Sequence, residues 1–361
     1  MLHSVSMHNS VNELNRIVEF QREILIISVR MSHLPFSLTK DFLIRFIKPK
    51  EGEWLWKKMW TQPRNKNGVK PPLEESTFNK KLQKLIDYLK NNVSEGKKIL
   101  DAFDNDIEFH KHLNNPDFRF QYLTLTENTQ NAVKPLMIAF YEDLLKSGFI
   151  QEIHKGVEAS RYNRDKFIGS FWKVNNELEV CPACDRERSD KVDDKVYDDA
   201  DHFLPKSVYP FLSLHPYNLF PLCIYCNRSF KGDRDSVDNH NNAPLPNIFH
   251  PYLRPALHKI RIDIERNDTG VVKSVIEDIE QNPSRRLNSL FRVFKLDTRW
   301  VDRLRHHRKN IIDDIISDGK RLRRRHGYTI ENFDFRRELR TTIREMLDER
   351  IEKLGKKVGF I

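Results

Sequence analysis

Residues 201–232 read DHFLPKSVYPFLSLHPYNLFPLCIYCNRSFKG. Asp201 and His202 stand side by side at one end. Cys223 and Cys226 stand near the other, followed by Asn227 and the turn Lys231–Gly232, with Asn218 between. Upstream, a second pair, Cys181 and Cys184, completes the four cysteines of the chain, and 38 residues separate Cys184 from Cys223. Each CxxC turn aims two sulfurs at one point, and two such turns close a tetrahedral four-thiolate site. Zinc suits it because it takes thiolates without redox chemistry. Disulfides are disfavoured in a reducing compartment, so paired CxxC turns point to metal. The interval exceeds the usual ribbon spacing of about 15–20 residues, which predicts a folded insert. A zinc with four protein ligands leaves no position for water and is expected to be structural. The chemistry is then expected in the insert.

The elements CPAC (181–184), DHFLPKS (201–207), PYNLFPLCIYCN (216–227) and KG (231–232) occur in the order that resembles HNH endonucleases of the zinc-ribbon, McrA-like type. The resemblance covers about 55 residues and implies an α+β, mostly helical chain. Its centre would be a small ββα-metal (His-Me finger) nuclease core stapled by the four-cysteine zinc site and flanked by helical regions. It implies that His202 is the general base that activates water against a phosphodiester, since imidazole titrates near neutrality. Asp201 and Asn227 would hold a catalytic divalent ion, Mg2+ or Mn2+, through hard oxygen atoms. Asn227 replaces the third histidine of the family, which leaves the choice of metal open. Asn218 is the central Asn of the motif, a hydrogen-bonding brace. Arg228 and Lys231 would contact phosphate. His215 in LHPYNL is expected to serve its loop, and His250 in NIFHPYL to pack onto the core. The acidic run 185–201 would repel phosphate and is expected to form a solvated excursion.

The flanks divide the chain into a mostly helical region (1–175), the core (176–235) and a C-terminal part (236–361). In FNKKLQKLIDYLK (78–90), Phe78, Leu82, Leu85, Ile86 and Leu89 recur at helical spacing. PLMIAFYEDLLKSGF (135–149) predicts a helix with Pro135 in its first turn and Gly148 just past its end. His110 and His112 in FHKHL read as a solvated pair. In HKIRIDIERNDTGVVKSVIEDIE (258–280), two alternating runs flank a turn at 267–270, which predicts a hairpin. PSRR (283–286) reads as a break, and three helices should follow. The last would carry Leu339, Ile343, Met346, Ile351 and Leu354 on one face.

The net charge of +10 is concentrated: residues 283–361 hold 22 Lys and Arg against 12 Asp and Glu, and the remainder balances at 40 against 40. A basic face of this kind, including Arg323, Arg324 and Arg325, would hold the DNA backbone through counterion release. The candidate membrane segment, ILIISV (24–29), is far shorter than the ~18 residues of a membrane span, and a cytoplasmic protein is expected. The resemblance extends to effectors of anti-phage defence, which implies a partner ATPase and leaves room for an oligomer. The competing reading is a non-catalytic zinc-ribbon adaptor that binds nucleic acid or protein.

Overall fold

The computed structural model describes residues 5–63, 72–157, 160–176, 178, 180–184, 199–237, 245–256, 259–266, 272–278, 283–296 and 298–299. Arg323, Arg324, Arg325, the later basic helices, and residues 185–198 of the acidic run lie outside them.

The chain opens with α1 (Val11–Ser32), which contains ILIISV. Leu14, Ile17, Val18, Gln21, Ile24, Leu25, Ser28 and Met31 recur every three or four positions and are all buried. Two short helices follow, α2 (Lys40–Phe46) and α3 (Pro49–Lys58), then the two-residue strands β1 (Trp60–Thr61) and β2 (Glu74–Glu75). Next come α4 (Thr77–Asn91) and α5 (Val93–Asp106), both packed on α1. Ser76 starts α4, its Oγ accepting from the Asn79 amide at 3.1 Å. The five apolar residues expected to line this helix are buried.

The second expected helix is longer than its sequence suggested. α6 (Glu127–Ala139) begins eight residues before Pro135, because Thr126 caps it by accepting from Thr129 N at 3.3 Å. Pro135 therefore sits inside a helix, where it can donate no backbone bond to the preceding turn. The helix widens into a π-helical turn at Phe140–Leu145 and stops at Gly148, whose φ of +82° suits glycine. A short helix, α7 (Gln151–His154), leads to α8 (Arg164–Val174), capped by Asn163.

The motif-bearing stretch forms one antiparallel pair, β3 (Asp199–His202) with β4 (Leu219–Leu222), in which His202 faces Leu219 and Asp201 faces Phe220. A π-helical segment, Tyr225–Lys231, follows directly. The predicted hairpin is present as β5 (Ile260–Arg266) paired with β6 (Val272–Asp278), while its turn lies outside the described residues. PSRR is not a break. It is the first turn of α9 (Pro283–Phe294), with Pro283 at the position where a missing N–H costs nothing.

Two apolar cores meet at the β3–β4 pair. Phe211, Leu214 and Leu219 join the helical core built on α1, α4 and α6. Phe203, Phe220, Leu222 and the four cysteines join a second core with Phe109, Phe118 and Phe120 from the N-terminal region and Leu290 and Val293 from α9. Aromatic side chains of the 1–175 region thus pack on the cysteine-bearing unit. His110 and His112 are not a solvated pair either. His110 stacks on Tyr217 at 4.4 Å, and His112 on Phe118 at 4.8 Å.

Candidate active site and cysteine cluster

Cys181, Cys184, Cys223 and Cys226 are buried and unbridged, and their sulfurs all lie within 4.8 Å of one another. Four convergent thiols with no disulfide are a donor set that a metal such as zinc fits. Polar neighbours support it. Cys226 N donates to Cys223 Sγ at 3.4 Å, and Arg299 Nη1 reaches Cys226 Sγ at 3.5 Å. The Arg299 guanidinium also covers the Phe230 ring at 3.9 Å, which holds the cation against the cluster.

The Cys226 turn continues into Asn227, Arg228 and Lys231, which places these side chains beside β3. Asn227 Nδ2 donates to Asp199 Oδ2 at 3.0 Å, a bond that does not use its amide oxygen. Arg228 grips both oxygens of Asp199, at 2.8 and 3.0 Å. Lys231 Nζ lies 3.3 and 3.2 Å from the two oxygens of Asp201, both residues being buried. The two residues expected to contact phosphate are therefore each engaged by a carboxylate. Gly232 ends the segment at φ +49°, a backbone state that side chains disfavour.

Asp201, His202 and Asn227 border one cavity of about 530 Å3, together with Tyr141, Arg164 and Lys206. His202 is anchored by Nε2, 2.9 Å from the carbonyl oxygen of Ser213. A carbonyl can only accept, so Nε2 carries the proton and Nδ1 keeps its lone pair. The Tyr141 ring meets the imidazole edge-on at 4.4 Å, and its hydroxyl donates to Ala200 O at 2.6 Å, tying the π-helical turn to β3. Burial holds His202 well below the ordinary histidine range, assisted by the nearby Lys206 cation. Burial also raises Asp201, against the pull of Lys231. Asp201 Oδ2 is buried and makes no well-formed hydrogen bond, its charge being met by Lys231 Nζ at 3.2 Å.

Asn218 lies wholly buried and outside the cavity. Its Oδ1 accepts from Leu204 N at 2.7 Å, and its Nδ2 donates to Leu204 O and Leu212 O, each at 3.0 Å. It clamps both ends of the 203–218 loop. His250 is fully buried, its ring 4.8 Å from Phe203 and its Nδ1 accepting from Tyr252 N and Leu253 N. His215 is buried against Phe109 and His110. Burial depresses both imidazoles, that of His250 to about 3. Tyr141 and Arg164 lie in no motif, and Lys206 has no role assigned within DHFLPKS. The first two reach the cavity from the helical region through packing that spans about 40 to 60 positions of sequence.

Among the described residues, no helix is long and apolar enough to cross a membrane. No family model matches the chain, and no solved structure matches it. The chain is 37% identical to "Protein ea31" of Escherichia phage lambda over 123 residues, which is 34% of this chain and 33% of that protein. It therefore spans about a third of the relative it resembles.

Proposed function

We propose that the chain is a metal-dependent endonuclease of the HNH, ββα-metal type, with the thiolate cluster holding a structural zinc. The observation that carries this reading is the meeting of Asp201, His202 and Asn227 at one cavity, beside four convergent cysteines. An adaptor would require the cysteines but has no use for a neutral imidazole and a buried carboxylate at a shared cavity.

His202 acts as general base. Its Nε2–H stays on Ser213 O, and Nδ1 takes a proton from water as the water oxygen bonds to phosphorus and the bond to the 3′ oxygen breaks. Burial keeps the ring unprotonated and ready to accept. Asp201 and the amide oxygen of Asn227 are a hard-oxygen donor set that fits Mg2+ or Mn2+. When bound, such an ion supplies positive charge to the phosphate and to the departing 3′ oxygen. Asp199 orients Asn227 through its amide nitrogen, and Asn218 fixes the loop that carries Ser213. DNA is the proposed substrate, and the basic residues near the C-terminus add sequence-independent attraction for it. A defence role and a partner ATPase remain part of the proposal, resting on the family resemblance alone.

The deciding experiment incubates purified protein with supercoiled plasmid and Mg2+ or Mn2+. Nicking or linearisation by the wild type that is lost in His202→Ala is the expected result. Equal cleavage by the two proteins would sink the assignment of His202, and wild-type inertness under every divalent ion would favour the adaptor.

A further inference from the structure

We infer that Arg164, at the start of α8, anchors a phosphate of the nucleic-acid backbone, so that the helical region supplies part of the substrate site; the inference rests on the endonuclease reading above. The other three cations bordering the cavity are each matched to a carboxylate. Arg228 binds Asp199, Lys231 binds Asp201, and Lys206 Nζ lies 3.7 Å from Glu142. Arg164 makes no ion pair among the described residues. Its guanidinium lies 4.2 Å from the centre of the Tyr141 ring, and Nη2 donates to Tyr141 O at 3.1 Å.

These contacts fix the guanidinium without neutralising it. A stacked, backbone-tethered guanidinium has lost most of its freedom before substrate arrives, and its planar fork matches two phosphate oxygens. The buried Nε makes no hydrogen bond, so the open donors are on the terminal nitrogens. Tyr141 also meets His202 edge-on, so Arg164 and the imidazole are positioned by one aromatic ring. A phosphate held by Arg164 would be delivered beside Nδ1 of His202.

The test measures binding of a short fluorescein-labelled DNA duplex by anisotropy across a series of salt concentrations, without added divalent ion. Removing one phosphate contact should make the slope of log K against log salt shallower by about 0.9 in Arg164→Gln, while Arg164→Lys keeps the wild-type slope. An unchanged slope in Arg164→Gln overturns the inference, as does a wild type that fails to bind duplex. Should Arg164→Gln lose its thermal transition, phenylglyoxal labelling of the wild type decides, read by peptide mass spectrometry. Protection of Arg164 by duplex supports the site, and equal labelling with and without duplex removes it. A wild type that binds but never cleaves would end the endonuclease reading and leave the salt slope to decide Arg164 on its own.

Discussion

The Nε2 atom of His202 lies 2.9 Å from the carbonyl oxygen of Ser213, and this contact fixes which ring nitrogen is free to accept a proton. It also separates structural from chemical roles for the residue. Glutamine can place its amide nitrogen near the position of Nε2 and keep the bond to Ser213, yet it offers no base. His202→Gln should therefore fold with a stability within about 1 kcal/mol of wild type and cleave plasmid about 10²–10⁴-fold more slowly. Denaturant unfolding and initial cleavage rates, measured on the same preparation, check both halves. Residual cleavage near the wild-type rate would exclude proton abstraction by this ring.

Asn218 is expected to act as a brace, and its loss should show directly in stability. Its three hydrogen bonds satisfy backbone groups of Leu204 and Leu212 in a fully buried site. Asn218→Ala strips this partner from both Leu204 N and Leu204 O, while Leu212 O keeps its bond from His215 N at 3.2 Å, and should cost about 2–4 kcal/mol. Asn218→Asp should cost at least as much, because an acceptor would face the two carbonyls that now receive its amide protons. Unfolding midpoints of the two variants test this ordering, and a mild effect of Asn218→Asp would contradict the brace.

How much of this was legible in the sequence depended on the range of the contacts involved. The cysteine convergence and the β3–β4 placement of Asp201 and His202 follow from motifs a few residues long, and the β5–β6 pair from simple alternation. Pro135 misled because a capping Thr126 outweighed it: a helix can absorb one missing N–H when its start is well capped and its face is buried. His110 looked solvated because nothing local reveals that Tyr217, more than a hundred positions away, stacks on it. Arg228 and Lys231 looked like free phosphate contacts for the same reason, their partners Asp199 and Asp201 lying on another element. Tyr141 and Arg164 were invisible, since only tertiary packing brings them to the cavity.

Arg299 should tune the cysteine cluster from outside. Four thiolates around a divalent ion carry net negative charge, and a guanidinium 3.5 Å from Cys226 Sγ offsets part of it. Elemental analysis is expected to find zinc at about one ion per chain, and Cys226→Ser should lose it. Arg299→Ala should retain the ion but with affinity lowered about 10–100-fold, seen as faster transfer to a colorimetric chelator. Identical transfer rates would mean that Arg299 merely packs on Phe230.

Acid should destabilise the fold through buried histidines, and His8 gives the cleanest measurement because it lies away from the cavity. It packs edge-on against Phe167 at 4.9 Å, and burial lowers its pKa from 6.5 to about 4. Above pH 6.5 the ring is neutral in both folded and unfolded chains and contributes no pH dependence. As pH falls from there to about 4, the unfolded chain takes up a proton that the folded chain refuses, so stability is lost across that window. Below about 4 both states are protonated and the loss levels off. The full effect is about 3 kcal/mol. His8→Gln keeps a donor near Pro216 O but cannot titrate, so its denaturant stability should fall less steeply over the same window. A difference between wild type and variant that stays constant from neutral pH down to pH 4 would show that His8 is protonated as readily in the folded protein as in the unfolded chain.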